Sequence, residues 1–280
     1  MSGLVLLTGA TGFVGRQVLS ALVEHGRRIR LVVRAEKSDH LSALENVESI
    51  IETPDLFAEN IDWWINICKG VDIIIHVAWY AEPGEYLKSP KNLDCLSGTL
   101  QMAKAAAVAG VRRFVGVGTC FEYDLKKGKL SVVTPLRPNN TYAGSKAAAY
   151  LALSQWLPGQ GLEFAWCRLF YLYGEGEDGR RLIPYLRRCL EAGEPAELTN
   201  GKQIRDFLDV REAGKAIALT ALGLEQGAVN ICSGIPISVR QLAEGIAREY
   251  GRPDLLRFGA RLGSSIEPPC VVGIIGQKQI

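Results

Sequence analysis

Along the first half of the chain, short unbroken apolar runs take turns with longer stretches whose apolar residues recur every three or four positions. Leu4–Thr8, Ile29–Arg34, Val71–Val77 and Val111–Gly118 are runs of the first kind, and Val47–Glu52 is a weaker one. Phe13–His25, Ala58–Cys68 and Leu93–Ala109 are stretches of the second kind. A short run without polar interruption suits a strand buried on both faces, whereas the longer period suits an amphipathic helix. Their alternation predicts right-handed crossovers and a doubly wound parallel sheet covered by helices on both sides, an α/β architecture.

The rhythm then changes. Residues 119–141 hold Lys126, Lys127, Gly128, Lys129, Pro135 and Pro138, and read as a long loop. A loop leaving the carboxyl end of a central strand is where such sheets build their sites. The Ala-rich segment Tyr142–Leu157 is predicted helical, ended by Pro158-Gly159, and Leu162–Leu169 is another buried strand. Beyond Gly174 a charged loop, Glu175–Arg181, leads to a helix over Leu182–Ala192, a short strand near Glu197–Thr199 and the stretch Ile204–Val210. Helices over Arg211–Leu222 and Val239–Tyr250 flank a strand at Ala228–Ile231. The expected division is a main domain over 1–174 and a smaller lobe over 175–280, with parts of 205–235 returning to the main sheet. No structure is assigned to the weakly patterned tail Gly263–Ile280.

Composition narrows the class without choosing an activity. A net charge of +2 over 280 residues offers no basic surface for nucleic acid, and no partner of that kind is expected. The longest apolar run, near Val71–Ala81, is too short to span a bilayer, so no membrane is expected. Leu4–Leu7 runs directly into a glycine turn with no basic stretch or cleavage site, so no leader is expected. The seven cysteines are odd in number and form no C-x-x-C pair, which suits free thiols, no metal and a cytoplasmic setting.

The first strand runs directly into Gly9-Ala10-Thr11-Gly12-Phe13-Val14-Gly15, and an amphipathic helix follows. In that context the glycines predict a Rossmann-type dinucleotide turn. Gly9 permits the tight turn, Gly12 lets backbone approach a pyrophosphate, and Gly15 permits close helix–strand packing. The helix start offers amide N–H groups and positive potential to phosphates. Arg34 ends the second strand where an NAD site usually places a carboxylate, and a guanidinium there can pair with the extra phosphate of NADP. NADP(H) is therefore favoured over NAD(H), although Glu36 follows two residues later. Alternatively, Arg34 is a solvated charge at a strand end.

Tyr142 and Lys146, four apart at the start of a helix, project from one face. An ammonium near the phenol is expected to stabilise phenolate and bring Tyr142 toward acid–base range. The same lysine is placed to hold the nicotinamide ribose. A Tyr/Lys pair at this spacing is otherwise an ordinary surface pair, and only the glycine turn gives it weight.

With these residues in place, the chain resembles an extended short-chain dehydrogenase/reductase of the nucleotide-sugar epimerase/dehydratase group over nearly its whole length. GATGFVG at 9–15, His76-Val77-Ala78, Gly98-Thr99, Gly118-Thr119 and YAGSK at 142–146 carry the likeness. Arg168-Leu169-Phe170, Tyr173-Gly174, Arg205-Asp206-Phe207 and Val210 extend it into the smaller lobe. The resemblance implies that Thr119 hydrogen-bonds a sugar carbonyl beside Tyr142, that Asp55 and Leu56 border adenine, and that Val77 and Ala78 line the dinucleotide. Arg205 would pair with a substrate diphosphate unless it is a plain surface charge, and Tyr171, Arg181 and Leu182 would border the nucleotide sugar. Arg180 and Arg181 either reach the nucleotide or are solvated, and Trp79 and Tyr80 either border the sugar or pack at the rim. A homodimer is implied through helices 93–109 and 142–157.

Departures from the family pattern select the chemistry. Members that dehydrate sugars carry Asp-Glu directly after the hydroxyl residue, whereas Thr119 is followed by Cys120-Phe121 and Glu122 stands one position too far. Members that epimerise C3 and C5 carry a cysteine two residues after it and a later histidine; here the cysteine is one residue after, and His76 is the last histidine. Reduction of a 4-keto sugar and C4 epimerisation through a transient ketone both remain, needing only Thr119, Tyr142 and Lys146. Arg34, and Tyr171 where many C4 epimerases carry Asn, favour the reductase, with a likeness to C4-ketoreductases that make CDP-linked dideoxysugars such as paratose and abequose. A non-catalytic NADP-binding sensor is the competing class.

Overall fold

In the computed structural model, which describes residues 3–35, 41, 44–262 and 268–276, the alternating pattern becomes a seven-stranded parallel sheet. Its strands are β1 (Leu4–Thr8), β2 (Ile29–Val33), β3 (Val47–Glu52), β4 (Val71–His76), β5 (Arg113–Thr119), β7 (Glu163–Leu169) and β11 (Gly227–Ile231). Their order across the sheet is β11-β7-β5-β4-β1-β2-β3. Winding reverses between β1 and β4, so their carboxyl ends open a crevice at the switch point. β6 (Lys129–Leu130) and β8 (Tyr171–Tyr173) lie outside this sheet.

Two cores form because alternate strand residues point to opposite faces. Val5 and Leu7 pack beneath α1 (Gly15–Glu24) and α6 (Val210–Leu222). Leu4 and Leu6 pack with Trp64, Met102 and Leu153 of α2 (Ile61–Cys68), α3 (Lys91–Val108) and α4 (Thr141–Gly159). A Cβ at Gly214 would lie 2.6 Å from the backbone of Gln17, so α1 and α6 cross at the closest approach their backbones allow.

In the smaller lobe, α5 (Leu182–Ala192) and α7 (Val239–Glu249) share a core with β9 (Ala196–Leu198) and β13 (Leu256–Phe258). A second sheet runs β12 (Pro236–Ser238), β10 (Ile204–Asp209), β14 (Cys270–Gly273) and β6, with β8 beside β10. The buried Asp206 carboxylate holds it together by accepting from Ser233 N–H and O–H, Gly234 N–H and Gly273 N–H at 2.7–3.1 Å.

Several boundaries differ from the expected ones for local reasons. The first helix begins at Gly15 instead of Phe13, since Gly12 N–H turns back to Gly9 O at 3.0 Å. The second begins at Ile61, where Asn60 Oδ1 accepts Trp63 N–H at 2.9 Å. Pro158 sits inside the last turn of α4 instead of ending it. The presumed loop 119–141 contains two short 3₁₀ turns and β6. Part of the unassigned tail is β14, paired with β10 and β6; residues 263–267 and 277–280, like Glu36, lie outside the described residues.

Candidate active site

The crevice between β1 and β4 is set by His76, whose ring is 1% exposed at the end of β4. Thr99 Oγ1 donates to Cys95 O at 2.7 Å, so it accepts from His76 Nε2–H at 2.9 Å. His76 Nδ1 then accepts the Thr8 hydroxyl at 2.8 Å, and Thr8 Oγ1 in turn accepts Ala78 N–H at 3.4 Å. Burial, with Lys146 nearby, lowers the imidazole to about 3, so the ring stays neutral and ties β1, β4 and α3 together.

The glycines divide into two kinds. Gly9 has φ +76°, and a Cβ there would stand 2.7 Å from Ala78 N; a Cβ at Gly15 would lie 1.9 Å from Gly9 O. Those two let the chain pack on itself. Gly12 is exposed, and a Cβ there would meet only Gly9 O at 3.3 Å, so its missing side chain leaves a cradle open to solvent. No side chain caps the start of α1, which leaves that end to an outside anion. These residues fit the pyrophosphate of a dinucleotide. Thr11, Phe13 and Val14 line the same turn partly buried, and half-buried Val77 and Ala78 follow the end of β4. Arg34 stands exposed after β2, while Asp55 Oδ1 accepts Phe57 N–H at 3.0 Å and Leu56 packs on the core beside α2.

One strand further, the Tyr142–Lys146 pair rises beside Thr119 at the end of β5. Asn140 Oδ1 caps α4 on Ala143 N–H at 2.9 Å, fixing where the pair starts. Lys146 is 2% exposed; its ammonium donates to Val117 O and stands 3.8 Å over the Trp79 ring. Burial brings it down to about 7, against an opposing pull from Glu122 and Cys95. Tyr142 departs from expectation. Burial pushes its phenol above the usual range, Tyr86 and Glu122 add to this, and a hydrogen bond with Thr119 opposes it. The physical reason is desolvation of the hydroxyl, while the lysine is engaged by Val117 and Trp79 instead of lowering the phenol.

Glu122 is fully buried. Its Oε1 accepts Thr119 N–H at 2.8 Å and Trp166 Nε1–H at 3.0 Å, and its Oε2 pairs with Arg168 at 2.7 Å. Arg168 lies between the Tyr123 and Tyr150 rings, and Tyr123 O–H donates to Asn230 Oδ1 at 2.7 Å. Gly116 and Gly118 admit the Trp166 indole, since a Cβ at either would lie within 2.2 Å of it. Cys120 is 2% exposed, and burial pushes its thiol up.

Across the crevice, Tyr171 on β8 has its ring 6.2 Å from Phe121 and 5.3 Å from the Arg205 guanidinium. Arg205 is only 5% exposed, which removes the plain surface-charge alternative, and its Nη1 donates to Ile204 O and Pro268 O at 2.9 Å. Arg181 is exposed at the start of α5 and acts electrostatically on Tyr86; Leu182 packs into the lobe core. Arg180 is exposed and held by Asp178 at 2.8 Å and by Glu82 at 2.9 Å.

Sequence reasoning missed Tyr86, whose ring meets Tyr142 edge-on at 4.9 Å, and Asn92, whose amide holds the loop carrying Tyr86. No periodicity marks either residue; an aromatic in a site-facing loop was the only available signal.

With the geometry in place, comparison with known proteins agrees in outline. The model of the NAD dependent epimerase/dehydratase family matches residues 5–232. The dTDP-6-deoxy-L-talose 4-dehydrogenase (NAD(+)) of Aggregatibacter actinomycetemcomitans is 25% identical over 262 residues, covering 92% of this chain and 95% of the relative. The UDP-glucose 4-epimerase of Streptomyces lividans is 26% identical over 276 residues, covering 90% and 83%. Among solved structures, MoeE5 in complex with UDP-glucose and NAD is 29% identical with a TM-score of 0.79, covering 98% of this chain and 90% of that one.

Proposed function

The chain belongs to the NAD dependent epimerase/dehydratase family, and within it we propose a reductase that delivers hydride to C4 of a nucleotide-activated 4-keto-6-deoxy or dideoxy sugar. One observation carries this: Thr119, Tyr142 and Lys146 stand together, while Glu122, the carboxylate next in sequence, is committed to Thr119 N–H, Trp166 and Arg168. Removal of water across a sugar would need a further acid and base, and Cys120-Phe121 supplies neither. Phe121 and Tyr171 give the crevice an apolar wall that suits a deoxygenated ring. The 4-dehydrogenase relative, named for the same bond in the opposite direction, adds support.

Gly9, Thr11, Gly12, Phe13, Val14, Gly15, Val77, Ala78, Asp55 and Leu56 would hold the dinucleotide, with Arg34 favouring NADP. When bound, the reduced nicotinamide supplies the hydride. Tyr142 donates its proton to the C4 oxygen, Thr119 donates a hydrogen bond to the same oxygen, and Lys146 holds the ribose. Both hydroxyls would then act on the oxygen where alkoxide charge develops. The phenol is protonated in the free site, and the Thr119 hydrogen bond works against the rise that burial imposes on it. Tyr171, Arg181, Leu182 and Arg205 would bind the nucleotide sugar. Six of the seven free thiols are buried, which fits a cytoplasmic setting. Exposed Leu93, Val108, Leu151 and Trp156 on α3 and α4 support a homodimer, which a monomer in light scattering would exclude.

The test is oxidation of NADPH and NADH with 4-keto-6-deoxy nucleotide sugars as acceptors. Net oxidation is expected, faster with NADPH, with Tyr142→Phe slower by about 10²-fold or more and Arg34→Asp reversing the preference. The C4-epimerase relative supports a second reading, which needs the same three residues. NAD that survives gel filtration, with C4 epimers interconverted and no net oxidation, would establish it. Dinucleotide binding without turnover of any such sugar would favour the sensor.

A further inference from the structure

Residues 77–90, between β4 and α3, contain no helix or strand, yet they supply two aromatic rings that pack on the Tyr142–Lys146 pair. Trp79 lies over the Lys146 ammonium at 3.8 Å, and Tyr86 meets Tyr142 edge-on at 4.9 Å and 86°. Leu87 O also accepts Tyr142 N–H at 3.1 Å, so the segment is fastened to the first turn of α4. A segment without a ladder of its own needs anchors to hold two rings at such distances. Tyr80 N–H reaches Cys95 Sγ at 3.4 Å and Glu82 pairs with Arg180, but one buried side chain holds the stretches that carry both rings. Asn92, fully enclosed in the first turn of α3, accepts Trp79 Nε1–H on Oδ1 at 2.8 Å. Its Nδ2 donates to Tyr86 O at 2.6 Å and to Ser89 O at 2.9 Å.

We propose that Asn92 is a positioning residue for the Tyr142–Lys146 pair, its single amide setting Trp79 against the lysine and Tyr86 against the tyrosine. A primary amide suits the task because it accepts on one side and donates twice on the other. A carboxylate would lose both donors, and an apolar residue would leave a half-buried indole N–H and two carbonyls to find new partners. The catalytic significance rests on the function proposed above for the pair; the positioning itself does not.

The readout is the state of the Lys146 amine. Around it stand Val117 O, Trp79, Trp166 at 5.8 Å, Cys95 of α3, Glu122 after β5 and His76 of β4, and burial holds it near 7. Trp79 and the segment behind it form part of that burial. Loosening them admits water and raises the amine toward its ordinary range.

The full-length protein, free of sugar and dinucleotide, is acylated across a pH series and Lys146 is followed by peptide mass spectrometry. Asn92→Leu is expected to move the labelling midpoint upward. Trp79→Phe, which keeps a ring over the lysine but removes the N–H that Asn92 accepts, should move it in the same direction by less. That variant carries the test if Asn92→Leu does not fold. With a 4-keto nucleotide sugar, both should lower kcat, Asn92→Leu by about tenfold or more, with KM altered less than about threefold. Labelling profiles superimposable on that of the unaltered protein overturn the proposal, even if stability falls. Shifted profiles in a protein that reduces no 4-keto sugar uphold the positioning and remove only the reductase.

Discussion

The turn after β1 and the turn after β5 leave the same edge of one sheet, with only β4 between them, yet opposite means shape them. The first is built from missing side chains: Gly9 and Gly15 approach so closely that a single added carbon would collide with backbone. The second is built around a side chain, Glu122, whose carboxylate accepts from Thr119, Trp166 and Arg168. A glycine turn declares itself in seven consecutive residues. A turn held by a carboxylate declares itself only when partners 44 and 46 residues away are brought beside it. The contrast also assigns chemistry, since one turn leaves its cradle open to a ligand and the other closes its charge against the protein.

The hardest blow to the first turn is Gly15→Ala. With Gly9 O 1.9 Å from the new carbon, a loss of about 5 kcal/mol in urea unfolding is expected, or no soluble protein at all. Breaking the second turn with Glu122→Gln leaves the Arg168 guanidinium buried without its counter-charge, and about 3 kcal/mol should be lost. Should that variant match the unaltered protein, Glu122 is not what holds the turn.

His76 ties the end of β1, where the first turn starts, to β4 and α3, and it sharpens the comparison through pH. Its folded value, about 3, lies below the ordinary imidazole value of 6.5. Between those values the unfolded chain binds a proton that the folded chain refuses, so stability falls as pH drops through the window. His76→Gln should flatten the dependence of unfolding free energy on pH by at most about 1.4 kcal/mol per pH unit between pH 6 and pH 4. Equal slopes would mean that the ring is not held neutral.

The smallest effect on folding is expected from Gly12→Ala, because Gly12 does not need a left-handed backbone and its carbon would meet only Gly9 O at 3.3 Å. Stability should stay within about 1 kcal/mol, while dinucleotide binding weakens about tenfold in titration. Equal binding by that variant would remove Gly12 from the cradle.

Much of the sheet was legible because its strands are short apolar runs and its helices carry their own period. The start of α1 was misjudged by two residues because an amide bond from Gly12 to Gly9 competes with helix there. β14 was invisible, since its order comes from pairing with β10 and β6 and from the Asp206 carboxylate that accepts Gly273 N–H. In the site, the glycines, Thr119, Tyr142 and Lys146 were readable from spacing and likeness. Tyr86 and Asn92 were not, since each acts through a loop that has no pattern of its own.

By itself, then, the sequence determined the alternation of strand and helix, the glycine turn, and a tyrosine and lysine on one helical face. These follow from steric limits and periods that act within a few residues. Only the tertiary structure decided which polar groups face the crevice and which are closed off. Glu122 turned inward to Arg168, Asp206 to backbone amides, and Lys146 to Val117 and Trp79. Such commitments depend on hydrogen bonds between residues far apart in the chain, and those exist only once the crossovers have brought the strands together.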